Sequence, residues 1–93
     1  MNYKEFCDAV LKTKTGKELC YHSGLLMETR QKRPDVHKIA KVAWALYLLG
    51  EARLFQRRVD QGTCDYILVP SRPLRQRDLE EAIAYTPLIR ETV

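Results

Sequence analysis

The most reactive side chains sit together in Cys20-Tyr21-His22-Ser23. Two residues apart in a strand, Cys20 and His22 face the same side and offer two metal ligands. A tetrahedral zinc site needs two more. Cys7, Cys64 and His37 are the other candidates, and none forms a Cys-x-x-Cys or His-x-x-x-His spacing. No metal or other cofactor is expected, and the three cysteines read as small core residues. His22-Ser23 sets a base beside a hydroxyl, and His37 lies near acids. There is no glycine elbow around Ser23 and no triad spacing. Asp78, Glu80 and Glu81 read as helix-surface acids rather than cleft carboxylates. Gly16, Gly24, Gly50 and Gly62 are isolated, so no glycine-rich phosphate loop is present. The expectation is a non-enzymatic protein with no catalytic residues.

The remaining chemistry is cationic. Arg53-Leu54-Phe55-Gln56-Arg57-Arg58-Val59-Asp60-Gln61-Gly62-Thr63-Cys64-Asp65-Tyr66 reads as a hairpin carrying three guanidinium groups. Arginine bonds phosphate oxygens in pairs and gives salt-sensitive, sequence-tolerant binding. Arg57 and Arg58 are adjacent, so in a regular strand they point to opposite faces. With Arg30, Lys32, Arg33, Arg53 and Tyr66 they form the candidate surface for nucleic acid, DNA or RNA, or for a protein partner. A solvated sheet face explains the same arginines. Tyr66, Phe55 and Arg57 also suit a partner or homodimer surface, since Tyr and Arg recur at binding hot spots. Trp44, Phe6 and Tyr47 are assigned to the core.

These residues need elements to hold them. Tyr3 to Leu11 reads as a helix, with Phe6 and Val10 at helical spacing. A polar, Gly-containing break comes next, then Glu18 to Met27 as a strand. Glu28 to Pro34 reads as a polar loop. Val36 to Leu49 is the central helix: Val36, Ile39, Ala40, Ala43, Leu46 and Tyr47 mark one face, and Lys38, Lys41 and Glu51 mark what stays exposed. Gly50 caps it. Arg53 to Val59 and Cys64 to Val69 are strands, and Gly62 fits a left-handed turn position between them. Leu74 to Tyr85 reads as a last helix ended by Pro87, with Arg72-Pro73 as a hinge before it. The fold class expected is α+β: a small winged-helix-like domain, a three-stranded antiparallel sheet packed on a central helix, with N- and C-terminal helices. Residues 3–69 form the core of this single domain, and 74–93 a helical extension. A helix-turn-helix needs two helices joined by a tight turn before the hairpin, and only one is expected between the first strand and the hairpin. Non-specific binding, RNA binding or a protein-binding role therefore fits better than groove readout.

Composition bounds the class. Ninety-three residues make one domain. Lys plus Arg is 16 and Asp plus Glu is 12, a net charge of +4. The excess is local. Arg30, Lys32, Arg33, Lys38, Lys41, Arg53, Arg57 and Arg58 face only Asp35 and Glu51 in that stretch, so it carries +6 and the rest of the chain −2. No apolar run reaches the roughly 20 residues of a membrane helix. The first residues lack the apolar core of a secretion signal. An odd cysteine count argues against a disulfide framework and for a reducing, cytoplasmic setting.

The run Tyr21-His22-Ser23-Gly24-Leu25-Leu26-Met27-Glu28-Thr29-Arg30, then Ala43-Trp44-Ala45-Leu46, Gly50 and Leu54-Phe55-Gln56-Arg57-Arg58, resembles small uncharacterised bacteriophage proteins. Those share a Tyr-His-x-Gly-Leu strand, a helix with Ala-Trp-x-Leu, then Gln-Arg-Arg and a Tyr-containing strand. The likeness covers roughly residues 19–69. It implies a phage accessory protein in the host-cell cytoplasm. Such proteins bind nucleic acid or block a host machine, including CRISPR complexes.

Overall fold

A computed structural model describes residues 1–24 and 26–88, apart from the side chains of Met27, Glu28 and Leu88. The expectations for Leu25 and for residues 89–93 of the C-terminal extension lie outside the described residues.

The chain opens with α1 (Tyr3–Lys12). Asn2 caps it: the Asn2 side chain accepts the Glu5 N–H at 2.8 Å, and the Glu5 carboxylate accepts the Asn2 N–H at 2.8 Å. This reciprocal cap satisfies two otherwise orphaned donors. Phe6 and Val10 turn the inner face of α1 into the core. Strand β1 (Leu19–Gly24) comes next, then α2 (Leu26–Lys32) and α3 (Pro34–Leu48). Strands β2 (Ala52–Asp60) and β3 (Thr63–Pro70) form a hairpin, and α4 (Gln76–Tyr85) leads into a 3₁₀ turn at Thr86–Leu88.

Helix α2 corrects the expected strand to Met27 and the expected loop over Glu28–Pro34. Gly24, at φ +123°, ends the strand early. Apart from Thr29, the residues of α2 (Leu, Met, Glu, Arg, Gln and Lys) are among the better helix formers. Pro34 does not break this helix; it starts the next one at its first turn, where a missing N–H costs nothing. Arg33, held extended at φ −124°, ψ 109° ahead of the proline, is the whole link between α2 and α3.

The sheet is antiparallel with order β1-β3-β2, so β3 is its centre. The β2–β3 register pairs Leu54 with Leu68, Phe55 with Ile67, Arg57 with Asp65 and Arg58 with Cys64. Gly62 sits at φ +73° in the turn, the left-handed conformation expected of it. In the β1–β3 register Cys20 pairs with Ile67 and His22 with Tyr66, leaving Tyr21 as an extra residue. Because Ile67 and Tyr66 are neighbours on β3, Cys20 and His22 lie on opposite faces, not the same one. The bulged Tyr21 is buried, with its ring 6.0 Å from Phe6.

One core unites the helices and the sheet. Phe6, Val10, Ile39, Val42, Ala43, Leu46, Leu68, Leu79 and Ala82 lie within it. Helix α4 packs on α3 of its own chain and is clasped rather than hinged. Leu46 accepts the Glu51 N–H at 2.9 Å and Tyr47 accepts the Gly50 N–H at 3.0 Å, with Gly50 at φ +76°. This left-handed cap turns Glu51 inward. Arg72 Nη2 then donates to Glu51 Oε1 at 2.7 Å and Asp78 Oδ1 at 2.9 Å. Glu51 and Asp78, both expected on the surface, are buried. Two assignments fail in the other direction. Trp44 is 41% and Tyr47 46% exposed, because Ile39, Val42, Ala43 and Leu46 already fill the inner face of α3.

Candidate nucleic-acid interface

The predicted basic residues fall on three parts of the fold. Arg30, on α2, is half-buried, and its Nε donates to His37 Nδ1 of α3 at 3.2 Å. It holds the two helices together. Lys32 ends α2 and Arg33 forms the link, and both are exposed. Arg53, Arg57 and Arg58 lie exposed on β2. Their roles differ. The Arg53 guanidinium lies 5.8 Å from the centre of the Phe55 ring, within cation–π range. Arg57 Nη2 donates to both oxygens of Glu18, at 3.0 and 2.9 Å. Since Glu18 precedes β1, that pair reaches across β3 on the open face of the sheet. Arg58 pairs in register with Cys64 and therefore points to the opposite face from Arg57. Tyr66 is a supporting residue: it is half-buried, its ring lies 5.8 Å from His22, and its hydroxyl accepts the Leu26 N–H at 3.2 Å.

The outward side of α3 was not among the predicted site residues. Lys38, Trp44, Tyr47 and Leu48 are exposed there, and Lys41 and His37 are half-exposed. Trp44 and Tyr47 form a pair with ring centres 5.1 Å apart and planes at 35°. Lys38 Nζ lies 4.2 Å from the centre of the Tyr3 ring. A helix apolar on most of its circumference hides which apolar residues are surplus to the core. Counting four core positions at 3–4 spacing and asking what remains finds Trp44 and Leu48.

A cavity of about 320 Å³ opens between β1 and the start of α3, lined by Cys20, Tyr21, His22, Ser23, Arg33 and Val36 among others. Burial, then the nearby Arg33 charge, lowers the His22 pKa, so its imidazole is neutral at pH 7. Burial pushes the Tyr21 phenol up to about 12. Ser23 Oγ donates to Asp65 Oδ1 at 2.7 Å, so its proton is directed across the sheet and not to His22. Cys20 is exposed, against its core assignment, with its sulfur 3.7 Å from Ser23 Oγ. Cys7 and Cys64 are half-buried thiols.

Among the described residues, Glu51, Asp78 and Glu81 bring three carboxylates within 4.8 Å of one another. The Arg72 guanidinium binds two of them. The Arg75 N–H, donating to Asp78 Oδ2 at 2.7 Å, and then Arg72 hold the Asp78 carboxyl below the usual carboxylate range. The cluster has its countercharge built in and serves as the clasp of α4. Among the described residues, no helix is long and apolar enough to cross a membrane.

Comparisons of the chain with protein-family models, curated proteins and solved structures give no match.

Proposed function

We propose that this is a winged-helix-like, non-enzymatic protein that binds nucleic acid through the outward side of α3, the α2–α3 link and the β2–β3 hairpin. The observation that carries the reading is the helix pair. α2 joins α3 through Arg33 alone, and a basic hairpin comes after them in a sheet of order β1-β3-β2. Two consecutive helices followed by a basic hairpin support the winged-helix-like reading. The second helix that the sequence did not reveal is supplied by α2. Lys32, Arg33, Lys38, Lys41, Arg53 and Arg58 reach solvent on these elements. The apolar outer end of α3 disfavours base reading in a major groove, so contacts to phosphate dominate. In the phage setting that the resemblance implies, this is an accessory protein of the host cytoplasm.

The test is a titration with duplex DNA, single-stranded DNA and RNA at two salt concentrations. Binding that weakens steeply with salt supports the reading, and no binding at about 50 mM salt rejects it. A second reading is a protein-binding inhibitor of a host nucleic-acid-processing complex. The open edge of β2 favours it, because Phe55 is 48% and Val59 60% exposed there. Capture of a host partner by the native protein, lost in Arg57→Glu/Arg58→Glu, supports that reading. Unchanged capture removes the hairpin from it.

A further inference from the structure

We propose that the outward face of α3 is a stacking platform for an unpaired nucleic-acid strand, with bases against Trp44 and Tyr47 and phosphate against Lys41. This rests on the proposed nucleic-acid binding and narrows it to strands whose bases are free.

Three observations converge on the face. First, Trp44, Tyr47 and Leu48 are each more than 40% exposed, and the two aromatic rings are already held together 5.1 Å apart. A pre-formed aromatic pair loses little side-chain freedom when a third ring joins it. Second, Lys41 and Leu48 stand three residues before and four after Trp44, so all three share one side of the helix. Third, the segment that carries the face is cationic, with a net charge of +6 between Arg30 and Arg58. The acids between Arg30 and Arg58 are Asp35, in the first turn of α3, and Glu51, which is buried against Arg72. Lys41, on the same side of α3 as Trp44, is the cation that a phosphate there would meet.

The same groups define the chemistry of the occupant. Lysine is depleted at protein–protein interfaces, whereas strand-binding surfaces combine cations with stacking aromatics. A duplex keeps its base faces stacked on each other and cannot offer them to Trp44. An unpaired strand offers flat bases and phosphates together. Stacking tolerates any base, so the preference is for strandedness rather than sequence.

The chain has one tryptophan, so intrinsic fluorescence reads this face directly. The native protein is titrated at low salt with an oligothymidylate of about 12 nucleotides, within the usual site size, and with a duplex of equal length. Saturable quenching by the single strand, with the duplex at least about tenfold weaker, is the expected result. The Trp44 variants lack the fluorophore, so their binding is read from the anisotropy of a dye-labelled strand; Trp44→Ala should weaken single-strand binding about 5- to 150-fold, the equivalent of 1–3 kcal/mol per stacked base. Trp44→Phe should recover part of the loss, and circular dichroism checks that both variants fold. Single-strand binding without quenching, and unchanged in Trp44→Ala, overturns the platform and leaves nucleic-acid binding standing. No binding to any nucleic acid overturns both. An emission shift with protein concentration alone, with a doubled mass by light scattering, assigns the face to a second copy of the chain and overturns the proposal.

Discussion

Arg72 illustrates how a single side chain can hold two elements. It donates to Glu51 and Asp78 with one nitrogen, and both carboxylates are buried while the arginine itself is half-exposed. Replacing Arg72 with Ala leaves two buried acids facing each other without a countercharge, so melting temperature should fall at pH 7. Asp78 adds a pH signature. Its folded pKa is depressed, so its stabilising contribution is fully present above the ordinary carboxylate pKa and is lost as pH falls through the folded value. Thermal melts of native protein and Asp78→Asn should therefore differ most near neutral pH and converge in strong acid. A gap that persists unchanged in acid would contradict this role. None of this was legible in the sequence. Residues 51, 72 and 78 have no motif spacing, and only the turn at Gly50 brings them together. Arg57 was legible as a surface cation, but its pairing with Glu18 was not, because that contact depends on the strand order. The pair is exposed at both ends, so it adds about 0–1 kcal/mol at most. Glu18→Gln should instead release Arg57 and tighten nucleic-acid binding, with the salt slope steeper by about 1, measured in the same titration.

The elements are unevenly legible in the sequence, for physical reasons. α1, α3, the two hairpin strands and α4 announce themselves through apolar spacing and turn residues. α2 does not, because a seven-residue segment between a glycine and a proline has no room to show a period. Pro34 looks in sequence like a breaker of α2, whereas in the fold it opens α3. The bulge at Tyr21 is equally silent, since an extra residue in one strand leaves no mark until the partner is known. It moves His22 away from the face of Cys20 and ends the metal-pair geometry. At this scale the core and the cap give the predictions. Leu79→Ala should cost about 2–5 kcal/mol in chemical denaturation, because Leu79 is fully buried where α4 joins the core. Gly50→Ala should cost about 1 kcal/mol. An added Cβ there meets nothing within 4 Å, so the whole cost is the left-handed backbone at φ +76°.

At the scale of the whole molecule, fold class and charge were the parts most open to sequence reasoning. A 93-residue chain with one strongly apolar helix and one hairpin has few ways to bury a core, and the α+β arrangement with a three-stranded antiparallel sheet is one of them. The +6 concentrated between Arg30 and Arg58 was a matter of counting. Its partition was not: Arg30 ties α2 to α3, Arg57 is paired, Lys32, Arg33, Lys38 and Lys41 stand on the helix pair, and Arg53 and Arg58 lie on opposite faces of β2. Exposed cations of the helix pair and the hairpin are proposed to hold phosphate. The most direct measurement is the salt dependence of nucleic-acid affinity for the native protein and for Lys32→Glu/Arg33→Glu/Arg58→Glu. The native protein should bind at about 50 mM salt and lose affinity linearly in log–log form. The triple variant should bind more weakly, with a slope shallower by about 3. Absence of binding by the native protein at that salt, or a slope unchanged by the three reversals, would contradict it.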